Sequence, residues 1–134
     1  MGEQEFQRTL QNQPCDGLMA LEFWYGGKFI GHCVLFMKLP SGIWLRFFFD
    51  AGVFFWREVA CPDRNYDEGS VSYRSTEIPD GARLLGQVVD RIEISGIDGH
   101  PFRELVIAFA GGSRIRYEDR DDKTQFAIEL VSIN

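Results

Sequence analysis

At 134 residues the chain fits one ordinary domain and is long enough to bury a continuous core without disulfide staples. Hydrophobic residues make up 45% of it, including 12 Phe, which excludes a disordered chain. A net charge of −6 repels nucleic-acid phosphates at long range, so a DNA- or RNA-binding module is not expected and a basic partner is.

In chain order, residues 1–14 are polar and lack the basic end and apolar stretch of a secretory signal. Together with the odd, widely spaced set Cys15, Cys33 and Cys61, this points to a reducing, cytoplasmic location with each thiol acting as a small buried hydrophobe. Phe6 and Leu10, spaced four apart, allow one short N-terminal helix. Strand signals follow at about 18–25, 29–38, 43–49, 53–59, 70–75, 87–95, 103–109, 113–118 and 125–132. Residues 61–70, polar and turn-rich, read as an exposed loop. The longest apolar runs, at 33–37 and 51–56, fall short of the ~20 residues that cross a bilayer, so no membrane span is expected.

The later strands alternate. Ile92, Ile94, Leu105, Ile107, Phe109, Ile115, Tyr117, Phe126, Ile128 and Leu130 share one face, and Glu93, Glu104, Arg114, Arg116 and Glu129 the other. Gly26-Gly27, Ala51-Gly52 and Gly111-Gly112 each separate two such runs and supply positive φ, as hairpins require. The predicted fold is mainly β: an antiparallel sandwich or partly open barrel.

A shift of 60 residues lays Leu45 on Leu105, Phe47 on Ile107, Phe49 on Phe109, Gly52 on Gly112 and Phe55 on Ile115. The chain therefore reads as one domain holding two similar strand-plus-hairpin units, at about 18–60 and 83–132. On that register the second unit has Ala108, Arg114 and Arg116 where the first has Phe48, Phe54 and Trp56. Trp44 lies on the same side as Phe48, so the first hairpin is expected to be apolar on both faces. Its extra face needs cover from the N-terminal segment, from residues 61–80, from a second copy of the chain, from a protein partner, or from a ligand in a barrel mouth.

No phosphate-binding glycine loop, nucleophile elbow, zinc-type His-Glu-x-x-His or Cys-x-x-Cys is present, so no cofactor and no metal site is expected. His32 and Cys33 are strand neighbours on opposite faces, His100 sits in a turn, and Glu22, Asp90, Glu93 and Glu104 alternate with core residues as a solvated face does. Residues 118–123 read as a charged hairpin tip without the glycine and spacing of a Ca²⁺ loop. Its acids Glu118, Asp119, Asp121 and Asp122 suit a lure for a basic surface.

The segment Leu-Val-Ile-Ala-Phe-Ala-Gly-Gly-Ser-Arg-Ile-Arg-Tyr at 105–117, with Leu-Gly-Gln-Val-Val at 85–89, resembles a hairpin of small uncharacterised bacterial proteins. Some of these are immunity proteins of toxin–immunity and contact-dependent inhibition systems. The resemblance implies a small, acidic, cytoplasmic protein that binds one toxin domain, and it carries over no individual residue. The expected function is thus non-catalytic binding that occludes a basic partner protein. Trp44, Phe48, Phe54 and Trp56 would anchor the contact, and the four acids would steer it. The alternatives are a small-molecule-binding barrel or enzyme with a pocket lined by the aromatic first half, and a homo-oligomer, a dimer for instance, joined at the aromatic face.

Overall fold

The computed structural model describes residues 2–131. A helix, α1 (Glu3–Leu10), precedes strands β1 (Gly17–Tyr25), β2 (Lys28–Lys38), β3 (Trp44–Asp50), β4 (Val53–Val59), β5 (Tyr66–Glu68) and β6 (Val71–Glu77). After a short 3₁₀ turn at Gly81–Leu84 come β7 (Val89–Ser95), β8 (Phe102–Phe109), β9 (Arg114–Arg120) and β10 (Lys123–Glu129). All pairings are antiparallel, in one sheet of order β4-β3-β2-β1-β6-β5 and another of order β10-β9-β8-β7.

The two sheets form a β-sandwich. Leu35, Met37, Leu45 and Phe47 of the first pack with Leu105, Ile107, Ile115 and Tyr117 of the second in one core. Glu93, Glu104, Arg114, Arg116 and Glu129 lie on the outer face of the second sheet, where Arg116 bridges Glu104 and Glu129. Thr124 Oγ1 donates to the carbonyl of His32, and Tyr117 Oη donates to that of Cys33 at 3.1 Å, so β10 lies beside β2 without closing a barrel.

The helix has no side-chain N-cap and is too short to persist alone in water. It is held by Phe6 and Leu10, both fully buried, with Phe6 ringed by Phe47, Phe54 and Trp56 at centroid distances of 5.1, 5.0 and 5.6 Å. Three hairpins turn through residue pairs with positive φ at both positions: Gly26-Gly27 (58° and 79°), Ala51-Gly52 (49° and 76°) and Asp121-Asp122 (53° and 63°). Such mirror-image turns match the right-handed twist of the strands they join.

The β8–β9 turn differs, and the difference corrects the repeat register. β2–β3–β4 and β7–β8–β9 are both three-stranded meanders. Asp50 pairs with Val53 across a two-residue turn, whereas Phe109 meets Ser113 across the three residues 110–112. The shorter turn moves β4 by one residue, and a one-residue slip exchanges faces. Phe54 is therefore buried in the main core and Trp56 packs against it, while Phe55 takes the outer position expected for Phe54.

Trp44 and Phe48 do lie on the outer face of the first sheet, beside Leu21, Val34 and Phe36. That face is partly covered from within the chain, with Phe55 left 44% exposed. Residues 60–65 run across it from β4 to β5, pinned by Arg46 Nη2 on Asp63 at 3.0 Å and by Asn65 Oδ1 accepting the Ser75 amide at 2.9 Å. Beneath it Phe36 is 0% exposed. The expected loop at 61–70 thus includes a strand, β5, at the far edge of the sheet. No helix among the described residues is long and apolar enough to cross a membrane.

Candidate functional site

The expected site residues do not converge. Trp44 and Phe48 share the partly covered outer face of the first sheet, and Phe54 and Trp56 face the core on its other side. Of the four acids, only Asp121 and Asp122 form the β9–β10 tip. Glu118 lies on the outer side of β9, half-buried, and Asp119 points inward at 1% exposure. Asp119 is thus a core carboxylate rather than a surface lure, because strand alternation places it on the side of Ile115 and Tyr117.

Neither carboxylate oxygen of Asp119 makes a hydrogen bond of good geometry, although the Gly52 backbone approaches closely enough to pull its pKa down in part. Burial, with Asp122, Asp50 and Asp121 nearby, pushes its pKa above the ordinary carboxylate value. Across the strand pair stands Arg103, also 1% exposed, which joins four segments. It donates to Glu3 at 2.7 Å, to Asp98 at 2.7 Å, to the Gly52 carbonyl at 2.6 Å and to the Ser95 carbonyl at 3.1 Å. The β3–β4 tip, residues 96–101 and the β9–β10 tip therefore meet at one end of the sandwich, where Gly99 donates to Gly52 and Asp121 to Pro101. Asp50 and Asp98 gather there with the adjacent pair Asp121 and Asp122, and all four are exposed.

A second region presents convergent polar groups in an apolar cleft of about 480 Å³ between the sheets. Its walls come from β1, β2 and β10 and its rim from Pro79 and Asp80. A row of rings runs along it: Trp24 to Phe29 at 5.6 Å, Phe29 to His32 at 4.9 Å, and His32 to Phe126 at 4.2 Å. Trp24 Nε1 donates to Glu22 Oε1 at 3.2 Å, and the other Glu22 oxygen stands 3.9 Å from His32 Nε2. Burial lowers the His32 pKa below 6.5, against the opposing pull of Glu22, so the ring is neutral at neutral pH.

Two β-bulges build this region. The β1–β2 register slips between Leu21 and Glu22 and again between Phe23 and Trp24, leaving Cys33 and Ile30 as extra residues on β2. Each slip resets the alternation of β2, which brings His32 round to the cleft beside Glu22. Glu22 was expected on a solvated face, but it has the parity of Leu18 and Ala20 and faces inward. That parity was the available signal. No sequence pattern marks the bulges.

The thiols offer little chemistry in the interior. Burial pushes Cys15 and Cys33 up to about 11, while Cys61, expected to be buried, is exposed. No group of three or more His, Cys, Asp or Glu able to hold a metal ion is present among the described residues. No protein-family model, no curated protein and no solved structure matches the chain.

Proposed function

We propose that the protein is a cytoplasmic binding protein whose ligand sits in the cleft between β1, β2 and β10. The observation that carries this reading is the juxtaposition of four ring side chains with the Glu22 carboxylate in one concave, mostly apolar space. Volume and composition match those of small-molecule sites, where a few polar groups orient a ligand against apolar walls. A ligand that binds only the folded state raises its melting temperature by mass action. A panel of cationic, anionic and neutral metabolites is expected to contain at least one compound that raises Tm, with the shift lost in Phe126→Ala. A flat panel, or a shift that survives that substitution, removes the cleft from consideration.

A second reading, of the immunity or inhibitor type, rests on a separate observation. Asp50, Asp98, Asp121 and Asp122 converge at one end of the sandwich from three connections. Such an acidic end steers a basic partner protein during encounter. On this reading Asp121 and Asp122 steer together with Asp50 and Asp98, while Asp119 is buried and Glu118 lies on the outer face of β9.

A further inference from the structure

We propose that the cleft ligand is a small organic cation, an ammonium centre seated on the Trp24, Phe29, His32 and Phe126 rings with its charge turned to Glu22. This rests on the ligand-binding reading of the cleft and adds the chemical class.

Charge complementarity carries the choice. The lining contains two acids, Glu22 and Asp80, and neither Lys nor Arg. His32 brings no compensating charge at neutral pH, because burial holds its pKa below 6.5. Ring faces carry the negative end of the aromatic quadrupole, so a row of rings attracts a cation and repels an anion. Glu22 is held in place by the Trp24 indole at 3.2 Å, and a carboxylate has further acceptor sites beyond that bond. A bare metal ion does not fit, since no set of three ligands is assembled among the described residues.

Two other cavities lack this combination. The space of about 570 Å³ beside Arg83 and Gln87 has no aromatic wall. The aromatic space at Phe54, Phe55 and Trp56 is bordered by Glu3 and Asp98, but both carboxylates are engaged by Arg103 at 2.7 Å. In the cleft at Glu22, by contrast, a carboxylate faces a row of rings without a paired guanidinium.

The test is calorimetric titration of the full chain with phenyltrimethylammonium, with benzoate and benzyl alcohol as anionic and neutral ligands of the same ring. We expect saturable binding of the cation about tenfold tighter than benzyl alcohol, with benzoate weakest, a difference of about 1.4 kcal/mol. Glu22→Gln should erase that preference, while Glu93→Gln on the outer face should not. Phe126→Leu, which keeps most of the volume and removes the ring, should do the same as Glu22→Gln and serves if that variant fails to fold. Benzyl alcohol or benzoate binding as tightly as the cation overturns the cation assignment and leaves the cleft as a ligand site. No binding by any of the three, together with a flat metabolite panel, overturns both.

Discussion

Asp119 and Arg103 face each other across β8 and β9 inside the protein, yet only Arg103 is held by well-formed hydrogen bonds, four in all. A carboxylate whose folded pKa is raised stabilises the fold fully below its ordinary value of 3.8 and loses that contribution as pH rises through the folded value. At neutral pH the ionised group is buried with no better partner than the poorly aligned Gly52 backbone, which costs roughly 1–3 kcal/mol. We expect Asp119→Asn to raise stability at pH 7 by about 1 kcal/mol, several degrees in Tm, and to match the native chain near pH 3. Thermal melts across that range check it: a gain of equal size at both ends would assign the effect to packing rather than to charge. Strand alternation alone places Asp119 inward with Ile115 and Tyr117. Its burial was therefore legible in principle, but the four acids and two bases at 118–123 drew the reading toward a loop.

At the scale of elements, α1 behaves as a plug rather than an appendage. Phe6 fills the space bounded by Phe47, Phe54 and Trp56, and Trp56 Nε1 donates to the Gly2 carbonyl at 3.1 Å. We expect Phe6→Ala to cost about 3–5 kcal/mol, because the rings around the cavity are anchored in strands and close in only partly. Urea unfolding measures this directly, and a loss below about 1 kcal/mol would mean that the helix is dispensable to the core. The spacing of Phe6 and Leu10 announced the helix. What it covers depends on the turn at Ala51-Gly52, one residue shorter than its counterpart at 110–112, which sends Phe54 and Trp56 inward. The same slip explains the apparent excess of outward aromatics. Half of that set belongs to the core, and Trp44 and Phe48 lie under or beside residues 60–65.

For the whole molecule, the acidic end makes a prediction about association. Asparagine tolerates the left-handed turn positions of Asp121 and Asp122, so Asp50→Asn, Asp121→Asn and Asp122→Asn together leave the hairpin intact. With poly-L-lysine as a basic probe, this triple variant should bind more slowly than one carrying Glu58→Gln, Glu77→Gln and Asp90→Asn, and with a flatter dependence on salt. Equal rates for the two variants would reduce the effect to net charge and remove the directional lure. The two proposed surfaces are separate. The acidic end is built from hairpin tips around Arg103, and the cleft from the bulged half of β1 and β2 against β10.

The sequence by itself determined most of the strands and their hairpins, since period-2 alternation and positive-φ turn residues act locally, whereas the order of strands in each sheet came only with the fold. It also determined the inner and outer faces of β8 and β9, where no bulge interrupts the count. Only the tertiary structure decided the faces of β2 and β4, because one inserted or missing residue reverses parity without altering composition. The same holds for both candidate sites. Glu22, His32 and Phe126, like Asp50, Asp98 and Asp121, come from distant parts of the chain and meet only when the two sheets pack.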